Sequence, residues 1–370
     1  MNKEYLEKLA IKKRLASYYK KQSKKNGLVG MEKLLAYIPK ERQFRQLRRG
    51  LVVAHLEFEK ILELVEKGER FSMVSGLNPS SQLHVGHKVL FDMLLSLQKL
   101  GGDLYIPLTD DESYVDGKVE KLVLGTRNAR EKILPSLLKM GFEKEQTKIL
   151  IDTEQLGLYK FAIELSRHVS MAQVMALFGE ESLSNPGQVF YRGCVQLAEI
   201  LLPQLPENGG PRPTLIPVGI DQHPYILLAR DVAKRVGMVP PSELVIKFFP
   251  GLDDPEKKMS KSRSEGAIFL DDSEEVIRRK IHRGVTGSVK NLDEHRELGG
   301  VPEACSVFAM YMAYELSDER VKEVYKRYKR GEMLMGELKS LVGDVMVENL
   351  AMFREKKIQV QYTEGKKEKI

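Results

Sequence analysis

The sequence predicts an α/β fold in which a parallel sheet carries helices on both faces, with helical segments before and after it. Short apolar segments alternate with amphipathic ones between about residues 70 and 272. Such strand–helix alternation is typical of parallel sheets. Beyond Asp272 the periodicity is almost entirely helical. We therefore expect a sheet domain followed by a separate helical domain.

The composition is that of a globular protein. The chain has 370 residues, of which 42% are hydrophobic and 30% charged, enough for two or three domains. No apolar run reaches the ~18 residues of a membrane helix, and the N-terminus lacks the apolar core of a signal peptide. Cys194 and Cys305 form no CxxC pair, which argues against a zinc site and a disulfide framework. We expect a cytoplasmic protein without a membrane partner or a protein-bound metal.

A basic helical extension, residues 1–69, is predicted ahead of the sheet. Apolar residues recur with partial helical periodicity up to Asn26-Gly27, and a second amphipathic segment starts at Phe58. Residues 1–50 carry 15 Lys and Arg against 4 Asp and Glu, although the net charge of the whole chain is only +7. Such an arm suits a polyanion, because each neutralised phosphate releases counterions. A solvated, solubilising extension is the alternative.

Each predicted strand is a short apolar run bounded by turn-forming residues. Strands are expected at 71–75, 104–108, 148–151, 214–218 and 267–270. Helices are expected from about Val85 to Gly101-Gly102, over 118–140, through most of 154–205 and from Pro224 onward. The sheet domain then covers 70–272, with a helical insertion at about 118–210, and a C-terminal helical domain covers 273–370. Ligands of such sheets bind at the carboxyl ends of the strands.

The first segment that carries chemistry is His84-Val85-Gly86-His87, between a predicted strand and a predicted helix. A helix N-terminus attracts anions, and Gly86 lets a ligand approach the backbone. Two imidazoles three residues apart share a helix face and can both donate to phosphate oxygens. Two histidines that cap a turn are the alternative. A zinc site is less well supported, since no further His or Cys cluster accompanies the pair.

The second segment is Lys257-Lys258-Met259-Ser260-Lys261-Ser262, preceded by Pro250-Gly251. Flanking Gly and Pro indicate a mobile surface loop. Lysines on such a loop can close over a polyphosphate and stabilise the charge of a departing pyrophosphate. Taken alone, the run is more typical of a solvated loop.

The third segment, Gly219-Ile220-Asp221-Gln222, follows the predicted strand that ends at Val218. Gly219 would let adenosine pack near the backbone, and Asp221 could accept a hydrogen bond from a ribose hydroxyl. A helix N-cap ahead of Pro224 is the alternative. Together, these HxGH, GxDQ and KMSKS segments resemble class I aminoacyl-tRNA synthetases, and GxDQ narrows the resemblance to the enzymes for tyrosine and tryptophan.

Longer matches favour tryptophan. Thr109-Asp110-Asp111-Glu112, residues 220–225 and Arg48-Arg49-Gly50 resemble the archaeal and eukaryotic tryptophanyl-tRNA synthetases, and the resemblance covers about residues 40–357. It implies a Rossmann-like catalytic domain and a C-terminal helical domain that binds the anticodon arm. It also implies activation of L-tryptophan with ATP and Mg²⁺, transfer to tRNA(Trp), and a homodimer.

The same resemblance implies the site residues. His84, His87, Lys258 and Lys261 would be catalytic. ATP would contact those four together with Gly76, Asn78, Pro79, Gly86, Gly219, Asp221, Met259, Ser260 and Ser262. The amino acid would contact Val74, Glu112, Gln196 and Gln222, the last three through its ammonium and carboxylate ends. Basic residues between 320 and 330 would contact tRNA, with a solvated amphipathic helix as the alternative.

Two positions depart from the eukaryotic pattern. Where those enzymes have a tyrosine and a glutamine that bond the indole N–H, this sequence has Val74 and Pro107, whose side chains cannot accept a hydrogen bond. Either another acceptor serves or the amino acid differs, so a tyrosyl-tRNA synthetase is the nearest alternative. Two others are a different HxGH nucleotidyltransferase and a non-catalytic, synthetase-like RNA-binding protein. Pro107 also predicts a bulge or a strand end.

Overall fold

The computed structural model describes residues 2–356, apart from the side chain of Ser182. The strands in this part of the chain are β1 (Val29–Gly30), β2 (Val52–Leu56), β3 (Phe71–Val74), β4 (Gly102–Leu108), β5 (Thr147–Ile151), β6 (Thr214–Val218), β7 (Ser242–Ile246), β8 (Pro250–Gly251) and β9 (Asp254–Lys258).

The helices follow the predicted pattern, with additional short ones. They are α1 (Lys3–Lys25), α2 (Met31–Leu35), α3 (Arg45–Arg48), α4 (Phe58–Lys67), α5 (Val85–Gln98), α6 (Asp110–Val115), α7 (Leu122–Asn128), α8 (Leu134–Leu138), α9 (Leu156–Ser166), α10 (Met171–Phe178), α11 (Pro186–Phe190), α12 (Gln196–Leu201), α13 (His223–Arg235), α14 (Glu274–Arg283), α15 (Leu292–Leu298), α16 (Ser306–Tyr314), α17 (Asp318–Lys329) and α18 (Met335–Glu355). Two π-helical turns, Ala129–Ile133 and Tyr191–Val195, interrupt helical segments.

The predicted α/β fold is confirmed by a seven-stranded sheet in the order β1-β2-β7-β6-β3-β4-β5. Strands β7, β6, β3, β4 and β5 are parallel, while β2 is antiparallel to β7 and β1 to β2. From β3 the chain crosses to β4 on one side and later to β6 on the other. This reversal of strand order is where ligands of open α/β sheets bind.

Two predictions about strands need correction. Residues 267–270 form no strand, and Phe269 makes only a single bridge to His84. The apolar run is explained by burial, since Ala267, Ile268 and Leu270 are at most 1% exposed. The bulge predicted at Pro107 is also wrong, because the β4–β5 register runs through it, although β4 does end one residue later.

The described chain forms two compact units. The sheet unit comprises Asn26–Gln82 and Asp92–Ile246, and the helical unit comprises residues 2–25, Leu83–Phe91 and Lys247–Lys356. The predicted domain limits, 1–69, 70–272 and 273–370, stay a prediction, and residues 357–370 lie outside the described part of the chain. No helix among residues 2–356 is long and apolar enough to cross a membrane.

An apolar cluster holds the carboxyl ends of the strands in the sheet unit. Val74 and Tyr105, from β3 and β4, pack with Ala198 of α12 and Ala229 of α13. All four residues of β3 are buried. Burying one large apolar side chain contributes ~1.5–3 kcal/mol, so this cluster fixes the strand ends against α12 and α13.

The helical unit is built around α16, where seven of nine residues are buried. Helix α18 packs against both α14 and α16. The hydroxyl of Tyr314, at the end of α16, donates to the carbonyl of Val85 at 2.7 Å. A buried helix of this unit therefore fixes the first turn of α5.

Candidate active site

The HVGH segment lies where α5 begins, in the helical unit. His84 precedes the helix and His87 lies in its first turn, so their rings stack with centroids 3.8 Å apart. The backbone N–H of His84 donates to Nδ1 of His87 at 3.2 Å. In a neutral His87 the proton is therefore on Nε2, which leaves that N–H to donate to a ligand.

The turn that carries the histidines is held by backbone contacts. Val85 N–H donates to the carbonyl of Ile268 at 2.9 Å, and Leu270 N–H donates to the carbonyl of Leu83 at 3.1 Å. A Cβ atom on Gly86 would lie 3.0 Å from the ring of His84 and 3.2 Å from Cβ of Phe249. A larger residue at position 86 would therefore displace the first histidine.

Burial, together with the positive charges of Lys261 and Lys258, lowers the pKa of His84 to about 3. Burial is also the main reason why the pKa of His87 falls well below 6.5, with His84 and the same two lysines adding to the effect. Both imidazoles are therefore neutral at physiological pH. They can act as hydrogen-bond donors, while Lys258 and Lys261 supply the positive charge.

The KMSKS loop extends from a hairpin of β8 and β9 in the same unit. Met259 is 2% exposed, and its N–H donates to the carbonyl of Phe249 at 2.7 Å. Nη2 of Arg263 donates to the carbonyl of Lys258 at 2.7 Å, and Arg263 also pairs with Asp253. Met259 thus anchors a loop whose two signature lysines act electrostatically on the histidines.

In the sheet unit, the loop after β3 meets the helix after β4. Nδ2 of Asn78 donates to Oε2 of Glu112 at 2.5 Å, and the Thr109 hydroxyl donates to the same oxygen at 2.8 Å. The Ser113 hydroxyl donates to Oδ1 of Asn78 at 2.7 Å. The structure therefore joins Asn78, predicted to contact ATP, to Glu112, predicted to contact the amino acid.

The two predicted glutamines also meet. Nε2 of Gln196 donates to Oε1 of Gln222 at 3.2 Å. Gln196 begins α12 directly after the π-helical turn Tyr191–Val195, a feature frequent at functional sites. Asp221 lies in the turn Ile220–Gln222. Gln222 occupies the N-cap position of α13, but its side chain makes no capping hydrogen bond.

Sequence reasoning missed a pair of buried acids, Asp152 and Glu199. Asp152 is 0% and Glu199 4% exposed, and among the described residues neither oxygen of Asp152 nor Oε1 of Glu199 has a hydrogen-bond donor. Burial, then the charges of neighbouring acids, raises the pKa of both carboxyl groups well above their usual range. A proton on one carboxyl group, directed at the other, would give each group a hydrogen-bond partner. The signal in the sequence was an acid within the apolar run 197–202.

Glu199 lies beside the two positions that depart from the eukaryotic pattern. Oε2 of Glu199 is 3.7 Å, and the Pro107 side chain 3.4 Å, from where a Cβ atom of Gly76 would be. Val74 packs in the same cluster as Ala198, the neighbour of Glu199. A buried acceptor is therefore present next to the side chains that cannot accept.

A cavity of about 340 Å³ lies next to these acids in the sheet unit. Asp111 lines it and accepts a 2.8 Å hydrogen bond from the hydroxyl of Tyr159. Burial raises the pKa of Asp111 to about 6, although the Tyr159 hydrogen bond opposes the shift. The other lining residues are mainly apolar or aromatic: Tyr114, Val115, Leu122, Thr153, Gly187, Phe190, Tyr191 and Val195.

Residues 2–356 contain no group of three His, Cys, Asp or Glu side chains that could hold a metal ion. Mg²⁺ keeps several waters and is commonly bound through substrate phosphates with one or two carboxylates. A Mg²⁺ ion that arrived with ATP would not depend on such a group.

The paired histidines, the lysine loop and the parallel sheet are the features of a class I aminoacyl-tRNA synthetase. A sequence model of the family described as "tRNA synthetases class I (W and Y)" matches residues 66–351. The resemblance inferred from HxGH, GxDQ and KMSKS is thus confirmed.

Similar proteins narrow the family. The chain is 33% identical to "Tryptophan--tRNA ligase" of Methanocaldococcus jannaschii over 359 residues, covering 94% of this chain and 95% of that one. It is 36% identical to "Tryptophan--tRNA ligase" of Aeropyrum pernix over 311 residues, 82% of each chain. The crystal structure of tryptophanyl-tRNA synthetase from Aeropyrum pernix K1 superposes with a TM-score of 0.82 at 31% identity, covering 91% and 92% of the two chains. The chain belongs to the tryptophan–tRNA ligase family.

Proposed function

We propose that this chain activates L-tryptophan with ATP and transfers the aminoacyl group to tRNA(Trp). The observation that carries the proposal is the signature geometry of the helical unit. Two stacked, neutral imidazoles lie in the field of Lys258 and Lys261. This set of N–H donors and fixed cations suits a reaction in which negative charge moves along a triphosphate.

In the first step, a carboxylate oxygen of tryptophan attacks the α-phosphorus of ATP. The bond from that phosphorus to the bridging oxygen breaks, and pyrophosphate leaves with the electron pair. The carboxylate is already ionised at neutral pH, so the chain needs no general base. The imidazole N–H groups would donate to phosphate oxygens, and Lys258 and Lys261 would stabilise the charge that develops on pyrophosphate. Mg²⁺ bound to the phosphates would shield that charge further.

In the second step, a hydroxyl of the terminal adenosine of tRNA attacks the adenylate carbonyl, and AMP leaves. The family uses the 2′-hydroxyl. The tRNA would lie along the helical unit, where α17 carries Lys322, Lys326 and Arg327. Their charges are only partly balanced by the acids of the same helix.

In the amino-acid site, Glu112 would hold the ammonium group, and Gln196 and Gln222 the carboxylate. A carboxylate and two amides provide the acceptors and donors that a zwitterion requires. Both polar groups are preorganised, because Asn78 and Thr109 orient Glu112 and the two glutamines bond to each other.

Glu199 would accept the hydrogen bond of the indole N–H. Its Oε1 has no donor among the described residues, and Val74 and Pro107 offer none of the acceptors that eukaryotic members have. A carboxyl group accepts through an oxygen whether or not it is ionised, and a proton shared with Asp152 keeps the pair from burying two charges. An acceptor of this kind rejects side chains without a donor, because the buried carboxylate would stay unpaired.

A homodimer and a cytoplasmic location belong to the same proposal. The sheet unit exposes several large apolar side chains, among them Val123 at 66%, Ile163 at 61% and Met171 at 57%. A contact with another protein chain would remove such side chains from water. Its occupant would be a second copy of the chain, and aminoacyl-tRNA is used in the cytoplasm.

The proposal is tested by tryptophan-dependent ATP–pyrophosphate exchange in two signature variants. His87→Ala removes an imidazole donor, and Lys261→Ala removes a cation that acts on the transition state. Each should lose about 10²–10³-fold in rate, the usual effect of removing one preorganised charge contact. Lys132→Ala, an exposed lysine elsewhere, serves as the control. Losses below about threefold in both variants, with the fold intact by circular dichroism, would contradict the proposed roles.

A further inference from the structure

Helix α1 contacts the hairpin that carries the KMSKS loop at two points, just before β8 and within β9. On one side, the N–H of Phe248, two residues before β8, donates to the hydroxyl of Tyr19 at 2.9 Å. On the other side, Arg14 contacts Glu256 in β9, two residues before Lys258. The hairpin that carries the loop is therefore hydrogen-bonded to one helix at two points, Phe248 and Glu256.

The contact between Arg14 and Glu256 has a demanding geometry. Nε of Arg14 donates to Oε1 at 2.7 Å, and Nη2 donates to Oε2 at 2.7 Å. Two parallel charge-assisted hydrogen bonds fix the orientation of the guanidinium against the carboxylate as well as their distance, which an ordinary surface ion pair does not. Glu7, about two helical turns before Arg14 on the same face of α1, also accepts from Nη2 at 3.0 Å and keeps the guanidinium oriented.

The Tyr19 contact joins the helix to both signature segments. Tyr19 is 7% exposed, and its ring packs 5.8 Å from the ring of Phe248. The next residue, Phe249, accepts the N–H of Met259 in the KMSKS loop, and its Cβ lies beside Gly86 of the HVGH segment. A displacement of α1 would therefore shift Phe249, which contacts both the KMSKS loop and the HVGH segment.

The first half of α1 is fastened to the C-terminal helical region of the same unit. Lys12 pairs with Glu303 at 2.9 Å, and Ile11 packs with Val301 and Ala304. Asn2 donates to Glu294 at 2.6 Å. Helix α1 thus connects residues 294–304 to the hairpin through contacts along most of its length.

We propose that α1 is a positioning element for ATP activation, in which Arg14 and Tyr19 set the KMSKS hairpin at the angle needed to close over ATP phosphates. This inference rests on the proposed function of the loop. It gives the basic N-terminal segment a role inside the protein, beyond any contact with RNA. Arg14 and Tyr19 touch no substrate in this account, because they act through Glu256 and Phe248.

The test measures ATP–pyrophosphate exchange for the full chain with Arg14→Ala, Glu256→Ala and the double variant. Each single change should raise KM for ATP by about tenfold, the effect of losing one charge-assisted contact, with KM for tryptophan unchanged. The double variant should be no worse than either single variant, because both remove the same interaction. Tyr19→Phe keeps the ring but removes the acceptor oxygen, and should shift KM for ATP in the same direction.

Lys13→Ala is the matched control, since it removes the same charge from an exposed neighbour on the same helix. An Arg14→Ala enzyme that behaves like Lys13→Ala would overturn the proposal. So would an equal rise in KM for ATP and tryptophan accompanied by a lower unfolding midpoint, which indicates a merely structural contact. Absence of exchange in the unmodified chain would instead refute the proposed function.

Discussion

At the scale of single residues, the site depends on how burial sets protonation. His84 and His87 are kept neutral by burial and by the two lysines. Asp152 and Glu199 are shifted the other way, because burial raises the pKa of both carboxyl groups. Neutral imidazole donors thus lie at the HVGH turn, whereas a buried carboxyl pair lies near Val74 and Pro107, whose side chains cannot accept a hydrogen bond.

Glu199→Met tests the buried acceptor, because methionine has a similar volume and only a weak acceptor sulfur. We expect KM for tryptophan to rise about ten- to hundredfold, since an unpaired indole N–H costs ~1–3 kcal/mol. The probe that isolates this bond is a tryptophan analogue in which sulfur replaces the indole nitrogen. Glu199 should favour tryptophan over the analogue, and the variant should lose that preference in pyrophosphate exchange. An unchanged preference would exclude Glu199 as the acceptor.

At the scale of elements, strands were predicted correctly where an apolar run is bounded by turn-forming residues. Prediction failed where pairing with a distant segment determines whether a strand forms. Strand β6 has the predicted bounds, and β3 differs by one residue. Strand β7 was missed because its Glu243 looks solvent-exposed in the sequence. Glu243 is in fact buried, with its Oε2 2.7 Å from Nδ1 of His223. Residues 267–270 have the composition of a strand, but they pack as an irregular buried segment beneath the HVGH turn.

Asp111 in helix α6 allows a prediction about stability, because folding raises the pKa of its carboxyl group from 3.8 to about 6. Such a group stabilises the folded protein at pH values below its pKa in the unfolded chain, and this contribution is lost as the pH rises through about 6. Asp111→Asn keeps an acceptor for Tyr159 and removes the charge. It should therefore increase the free energy of unfolding by about 1–3 kcal/mol near pH 8, and by much less near pH 4.

Urea denaturation at the two pH values measures this difference. Glu164→Gln, which changes an exposed carboxylate on α9, is the control and should have little effect at either pH. A stabilisation by Asp111→Asn that is equal at both pH values would show that ionisation of Asp111 is not its cause.

At the scale of the whole molecule, strand–helix alternation predicted the fold class, and three short motifs predicted the enzyme family. HxGH, GxDQ and KMSKS are local segments, so they could be recognised in the sequence. The docking of α1 could not, because the Arg14–Glu256 contact joins residues 242 positions apart. Glu199 was missed for the same reason, since its partner Asp152 lies on a different element.

The most direct test of the account is ATP–pyrophosphate exchange with the unmodified chain, measured with tryptophan, with tyrosine and without an amino acid. We predict exchange with tryptophan alone, because the chain belongs to the tryptophan–tRNA ligase family and Glu199 is proposed to accept the indole N–H. Exchange supported by tyrosine, or by neither amino acid, would contradict the central claim.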